Sequence, residues 1–190
     1  MNVYEATIKR RSVRQFKDTP VPYDTLEKCV DAARLAPTGR NLQLCEYIIV
    51  DDEQLLPEVD VNIRLRTGQI KAKAYIIALI NSALEAEISR ERRVTTYDVG
   101  LAVENILLVA LEQGLGSCPI LSFNDEGLRG ILNVPDRYDL ALVVAMGYPD
   151  ESPVAETATD SVDFWTDDQG VRHVPKRKLE DVLHRNGFPR

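Results

Sequence analysis

Histidine is scarce in this chain of 190 residues. Only His173 and His184 occur, both near the C-terminal end, and neither an HExxH nor any other paired-histidine spacing is present. The sequence therefore predicts no metal centre. A serine or cysteine nucleophile would need a histidine that the main body does not contain, and no GxSxG elbow occurs, so hydrolase chemistry is disfavoured.

Cysteine and long apolar runs are also scarce. Cys29, Cys45 and Cys118 are an odd count without CxxC spacing, which predicts neither a disulfide framework nor a zinc site and indicates a reducing compartment. The N-terminal letters MNVYEATIKRRS lack the apolar run of a signal peptide, and no apolar stretch approaches the roughly 20 residues of a bilayer span. We therefore expect a cytoplasmic protein.

Positive charge is in deficit: 23 Lys and Arg against 30 Asp and Glu give a formal net charge of −7. This balance argues against a general nucleic-acid or acidic-membrane binder, so any bound phosphate must be met by a local cationic pocket. Because 44% of the residues are hydrophobic, the chain can bury a core of its own, and we expect one domain over residues 1–190.

The usual nucleotide-binding loops are missing. The letters GLG at residues 114–116 lack the third glycine of a dinucleotide loop and follow a helical pattern, so they indicate a helix end. No GxxxxGK[ST] loop occurs either. Without an evident acid, base or nucleophile, the polar residues fit a protein whose bound cofactor carries the chemistry.

Helical and strand patterns alternate, which predicts an α/β or α+β domain. Asp24, with Glu27 three residues later, predicts the N-cap of a helix whose apolar face holds Leu26, Cys29, Val30 and Ala33. A long central helix is predicted over residues 97–113, with Gly114 after it, and Asn124 as the cap of a short one. Extended segments are predicted over residues 47–50, 75–80, 117–121 and 140–146.

The composition changes after residue 149. Residues 150–169 are acidic, rich in Ser and Thr and poor in aliphatic residues, so they form either a solvated linker or an arm that packs on something else. The pair Phe164 and Trp165 favours the arm. A basic run, KRK at residues 176–178, and a short helix near residues 179–185 follow.

Three polar clusters could hold a ligand. Residues 10–16, RRSVRQF, gather three guanidinium groups and a hydroxyl, which either grip a phosphate or form a solvated basic face. Residues 37–43, PTGRNLQ, offer a hydroxyl, an amide and backbone donors, or are an ordinary turn. The third cluster is the basic run at residues 176–178, which likewise either binds a phosphate or is a solvated charged segment.

Together these segments resemble the FMN-dependent nitroreductase family. The matching motifs are RRSVRxF at residues 10–16, APxxxNxQ at residues 36–43, the helix DVGLAVENILLVALEQGLG at residues 98–116 and GYP at residues 147–149. Each motif is short, but four in this order cover nearly the whole chain.

The resemblance implies an α+β three-layer fold, with a central mixed or antiparallel sheet flanked by helices. It implies an obligate homodimer with two FMN sites at the interface, and residues 150–190 as an arm crossing to the partner. The implied reaction passes hydride equivalents from NADH or NADPH to a nitroaromatic, a quinone or a similar acceptor by a ping-pong mechanism. Two alternatives stay open: a flavin-fragmenting, dehalogenating or heterocycle-dehydrogenating relative, and a flavin-binding dimer without catalysis.

The resemblance also implies the site residues, none of them a catalytic acid or base. Arg14 would lie near N1 and the C2 carbonyl of the flavin, and Gln69 near its pyrimidine edge. The segment facing flavin N5 falls on Pro119, Ile120, Leu121 and Ser122, without the acidic residue that the family has there. The remaining contacts would come from Arg10, Arg11 and Ser12 of one subunit, from Pro37, Thr38, Gly39 and Asn41 of the other, and from Lys176 and Lys178 at the phosphate.

Overall fold

The structure is a computed structural model that describes residues 1–65, 68–88 and 93–188, with the side chains of residues 93 and 94 left out. The chain divides into two compact units, Met1–Asp150 and Glu151–Arg190. Each unit is described by itself below. No helix among the described residues is both long and apolar enough to cross a membrane.

A four-stranded antiparallel sheet forms the centre of the first unit. Its strands are β1 (Cys45–Val50), β2 (Ala74–Asn81), β3 (Gly116–Ile120) and β4 (Tyr138–Gly147), in the order β1-β2-β4-β3. The four extended segments predicted from the sequence correspond to these strands. Since β3 is an edge strand, alternate backbone N–H groups along its outer side are not paired within the sheet.

Helices cover both faces of this sheet. They are α1 (Val3–Lys9), α2 (Tyr23–Arg34), α3 (Leu56–Asp60), α4 (Ser82–Ile88), α5 (Arg93–Glu112) and α6 (Asp125–Ile131). Strand alternation sends Ile76 of β2 into the core beneath α2 and α5, and Ile77 into the opposite core beneath α3 and α6. The three-layer α+β fold is thereby confirmed.

Two local predictions are wrong, those for the cap of α2 and for the helix near the C-terminus, and a third, the cap of α6, is confirmed in its position only. Asp24 is not the N-cap, because α2 begins at Tyr23 and the carbonyl of Pro22 accepts the first backbone N–H groups. Asn124 occupies the cap position of α6, but its side chain makes no capping bond and donates instead to Asn62 Oδ1, at 2.9 Å. The helix predicted over residues 179–185 is a single 3₁₀ turn, Leu179–Asp181.

The second unit contains a small sheet of its own. Strand β7 (Arg172–Lys176) pairs in parallel with β5 (Val154–Thr157) and antiparallel with β6 (Trp165–Thr166). Residues 150–169, expected to be a linker or an arm, thus contribute two of its three strands. Whether this unit crosses to a partner subunit stays a prediction.

Candidate functional site

The segment of residues 10–16 lies against the outer edge of β3. The backbone N–H of Val13 donates to the carbonyl of Ser117 at 3.0 Å, and Ser12 pairs with Ser117 in a parallel bridge. A Cβ atom at Gly116 would lie only 2.7 Å from Val13 Cγ1, so glycine is required for this close approach. The backbone that carries the arginines therefore runs beside β3, the strand that contains Pro119.

The electrostatics of this arginine segment are unbalanced. Arg10 forms an ion pair with Glu104 of α5, with Nε and Oε1 3.2 Å apart. Arg11 forms no ion pair with any described residue: its Nη1 donates to the carbonyl of Arg10, and its buried Nε has no acceptor among the residues that the structure describes. Burial, together with the charge of Arg10, lowers the pKa of the Arg11 guanidinium. A partly buried cation without a counter-charge among the described residues is unfavourable, and a phosphate oxygen is the kind of acceptor that this donor fits.

Arg14 is the third guanidinium of the segment. Its Nη1 atom donates to the carbonyl of Ser12 at 3.4 Å, a long bond that keeps the side chain close to its own backbone. Arg10, Arg11, Ser12 and Arg14 thus lie in one extended stretch of chain beside β3. Their roles toward a flavin stay predictions.

The loop of residues 37–43 is held by a buried carboxylate. The backbone N–H of Gly39 lies 3.1 Å from each carboxylate oxygen of Asp98, which is 6% exposed on α5. The Thr38 hydroxyl accepts the backbone N–H of Gln43 at 3.2 Å. Pro37, Thr38, Gly39 and Asn41 are therefore gathered in one tight turn.

The same loop has a strained backbone. Arg40, Asn41 and Gln43 have φ angles of 55°, 58° and 53°, in the left-handed region that non-glycine residues rarely adopt. Each such residue costs on the order of 1–3 kcal/mol and persists only where the surroundings enforce it. Strain of this kind is typical of ligand-binding loops.

Helix α5 anchors both clusters, through Asp98 for the loop and Glu104 for Arg10. Six residues of helix separate these two anchors by about 9 Å along the axis and by about 120° around it. Within one chain, the loop and the arginine segment are thus attached to different sides of α5. Sequence reasoning missed both anchors, although an acidic residue at a buried position of an apolar helix was a signal for Asp98.

The predicted N5 segment begins in the last two residues of β3. Ile120 is buried, Leu121 is exposed, and the carbonyl of Ser122 accepts the backbone N–H of Arg64 at 2.8 Å. Cys118 is buried two residues before Ile120. Pro119 and Ile120 therefore belong to the same edge strand that the arginine segment lies against, and Leu121 and Ser122 follow it directly.

Gln69 lies elsewhere in the first unit. It is exposed and lines a cavity of about 740 Å³ together with Asp18, Lys71 and Lys73. None of the described residues lining this cavity belongs to the arginine segment or to residues 119–122. The described contacts do not bring Gln69 to the other candidate residues, and its contact with a flavin stays a prediction.

The two predicted lysines belong to the second unit. Lys176 is the exposed last residue of β7, and Lys178 Nζ lies 3.7 Å from Glu180 Oε1. Between them, Arg177 donates from Nη2 to the carbonyl of Asp181 at 2.7 Å. Among the described residues, no group of three His, Cys, Asp or Glu side chains could hold a metal ion.

Comparisons with known proteins agree on one family. The sequence model of the Nitroreductase family matches residues 8–67 and 60–148. An iodotyrosine deiodinase of Thermotoga neapolitana is 29% identical over 78% of this chain and 89% of its own length. An NADH dehydrogenase of Thermus thermophilus is also 29% identical, over 77% of this chain and 86% of its own. The structure of an FMN-dependent nitroreductase from Clostridium difficile R20291 has a TM-score of 0.71 at 27% identity, covering 98% of this chain and all of that one.

Proposed function

Because the chain belongs to the nitroreductase family, we propose that it is an FMN-dependent oxidoreductase that takes hydride equivalents from NADH or NADPH. The electron acceptor is a nitroaromatic, a quinone or a similar small molecule. The observation that carries the proposal is Arg11, a partly buried guanidinium whose Nε lacks an acceptor among the described residues, beside the edge strand β3.

The residues present fit FMN at this place. Arg10, Arg11 and Ser12 offer charge-assisted and hydroxyl donors to the phosphate, and Lys176 and Lys178 add two cations. The loop of residues 37–41 and the backbone of Pro119 to Ser122 hold the ring. Bound FMN supplies the hydride chemistry, so the protein needs no acid, base or nucleophile of its own.

Arg14 acts on the electronics of the site. Arg14 would hold a positive charge beside N1 and the C2 carbonyl of bound FMN, and this charge would favour the reduced form of the flavin. Only the nicotinamide end of the donor must be held, which agrees with the missing dinucleotide loop. Donor and acceptor use one cleft in turn, giving ping-pong kinetics.

The protein acts as a homodimer. The arginine segment and the loop are attached to different sides of α5, so one flavin takes the first from one subunit and the second from its partner. An apolar surface also supports a partner: Val3, Tyr4 and Ile8 of α1 and Tyr97 and Leu101 of α5 are exposed, and α1 packs against α5. The second unit, Glu151–Arg190, is the arm that reaches the partner.

A second candidate function is reductive dehalogenation, favoured by the similarity to an iodotyrosine deiodinase. It uses the same flavin site and differs only in the acceptor. A flavin-binding dimer without turnover is the third possibility. Steady-state oxidation of NADH and NADPH, measured with a quinone, a nitroaromatic and a halogenated tyrosine, separates the three.

We expect fast oxidation with the quinone or the nitroaromatic and loss of that rate in Arg11→Ala at low FMN concentration. Rapid turnover with the halogenated tyrosine alone would favour the second candidate. Tight FMN binding without turnover of any acceptor would favour the third.

A further inference from the structure

One side-chain cluster lies outside the contacts used so far. In the second unit, His173 of β7 is held between two carboxylates: Nδ1 lies 2.9 Å from Glu156 Oε2 on β5, and Nε2 lies 3.3 Å from Asp167 Oδ2 after β6. The Trp165 ring of β6 stacks on the imidazole, with centroids 4.0 Å apart and planes inclined by 14°. All three strands therefore contribute to the surroundings of this imidazole.

The cluster is closed by a second hydrogen bond. Trp165 Nε1 donates to Glu156 Oε1 at 2.7 Å, so one carboxylate joins the indole and the imidazole. Asp167 also accepts the backbone N–H of Val171 at 2.8 Å, which fixes the turn between β6 and β7. Strand alternation puts the neighbouring cation, Arg172, on the opposite face, 5.5 Å above the Phe164 ring.

A doubly protonated imidazole suits these surroundings best. Only the protonated form donates from both ring nitrogens, and here each nitrogen faces a carboxylate. A cation stacked on an indole is also favoured over a neutral ring. The neutral form can satisfy one of the two carboxylates at most.

The cluster is linked to Lys176 through the strand ladder. In the parallel pairing, His173 lies opposite Val154 and Lys176 opposite Thr157, and the carbonyl of Lys176 accepts the N–H of Ala158 at 2.8 Å. Lys176 is three residues beyond His173 and therefore on the other face of β7. The imidazole can fix the strand without occupying the face that carries the lysine.

We propose that His173 is a positioning residue: in its protonated form it locks β5, β6 and β7 together, and this holds Lys176 where it grips the FMN phosphate. This inference rests on the proposed function, because it assumes that FMN is the ligand of Lys176. If His173 has this role, the retention of FMN depends on pH near neutrality.

The direction of the dependence follows from the contacts. The bond to Glu156 and the contact with Asp167 raise the pKa of His173, so its contribution is complete below the ordinary value of about 6.5 and is lost as pH rises through the raised value. The partners have lowered pKa values, Glu156 through Trp165 and His173, and Asp167 through Val171 and His173. Their contribution is lost only as pH falls below the ordinary carboxylate range of about 4.

Trp165 can report the protonation of His173, and the second histidine of the sequence serves as the control. Trp165 is the one tryptophan of the sequence, and protonated imidazole quenches the emission of a stacked indole. His184 is the other histidine and is exposed. We therefore compare the FMN-loaded parent with His173→Gln and His184→Gln, recording tryptophan emission and the free-flavin fluorescence after dilution from pH 5 to pH 9.

In the parent and in His184→Gln, we expect tryptophan emission to rise with a midpoint above the ordinary histidine value, and FMN to dissociate about two- to fivefold more readily across the same range. In His173→Gln the emission step should disappear and the pH dependence of FMN release should flatten to that of the phosphate itself. Asp167→Asn, which keeps the histidine, should move the emission midpoint downwards.

An emission step that persists in His173→Gln, or a pH dependence of FMN release equal to that of the parent, would overturn the positioning role. Failure to bind FMN at any pH would overturn the proposed function and this coupling together. The tryptophan step would then remain as the property of the cluster alone.

Discussion

The buried carboxylate of Asp98 accepts the backbone N–H of Gly39, which lies 3.1 Å from each of its two oxygens. The two residues are 59 positions apart in the chain, and their contact ties the strained loop to helix α5. The left-handed residues Arg40, Asn41 and Gln43 follow directly. Asp98 thus fixes a loop conformation that the local sequence would not keep.

Replacing Asp98 should loosen this loop. Asp98→Ala leaves the Gly39 N–H without its acceptor, and we expect the free energy of unfolding to fall by about 1–3 kcal/mol, with a clear loss of FMN affinity. Denaturant unfolding and flavin titration measure the two effects. Asp31→Ala, which removes an exposed partner 2.6 Å from Arg34, is the control and should change stability by less than about 1 kcal/mol. Equal effects of the two variants would contradict the anchoring role.

Arg11 should affect binding and stability in opposite ways. Arg11→Ala removes a partly buried cation that has no ion-pair partner among the described residues, so the FMN-free protein should be no less stable than the parent. FMN affinity should fall about ten- to a hundredfold, because one charge-assisted contact is lost. Thermal unfolding without and with FMN measures both. A variant that is destabilised without FMN but binds it normally would show that Arg11 is structural.

The neighbouring cations Lys176 and Arg177 provide a matched comparison within one short segment. Lys176→Ala should weaken FMN binding about ten- to a hundredfold, because it removes a phosphate contact. Arg177→Ala should leave FMN affinity nearly unchanged, since the Arg177 side chain is bonded to the Asp181 carbonyl. Flavin fluorescence titration compares the two. A larger effect of Arg177→Ala would place the phosphate elsewhere.

Arg14 should affect reduction more than binding. Arg14→Gln removes the charge proposed to face the ring, so the midpoint potential of the flavin should fall and hydride uptake should slow, while FMN affinity changes less. Potentiometry and stopped-flow reduction by the nicotinamide measure these changes. An unchanged potential and rate would refute this role.

Cys118 lies close to the predicted N5 segment but is buried, as a small hydrophobic residue would be. Cys118→Ala should therefore still be reduced by the nicotinamide. Stopped-flow reduction tests this directly. Loss of reduction in this variant would require a thiol-dependent mechanism.

Periodicity accounts for what the sequence could predict. The strands and the central helix α5 bury regular apolar faces, and Gly114, with φ of 77°, ends α5 as expected. Contacts between distant parts of the chain could not be predicted in this way. Gly116 is glycine because Val13 approaches it, and no local pattern indicates that.

The small sheet of the second unit could not be predicted from local sequence patterns either. Strand β6 has only two residues, too few for an alternating pattern, and its Trp165 contacts Glu156 and His173, which lie on the other two strands. For the candidate site, the motifs predict which residues face the ligand, a prediction that stays open, whereas the contacts of Asp98 with Gly39 and of Glu104 with Arg10 became visible only in the structure. The cap of α2 was mispredicted because a carbonyl of the preceding residue, Pro22, substitutes for a side-chain acceptor.

The most direct test of the account is a visible spectrum of the purified protein, followed by anaerobic titration with NADH and with NADPH. We expect a yellow protein with the spectrum of bound FMN, which one of the two nicotinamides bleaches stoichiometrically and a quinone restores. A protein that is colourless and takes up no added FMN, or a bound flavin that neither nicotinamide reduces, would contradict the central claim that this chain is an FMN-dependent NAD(P)H oxidoreductase.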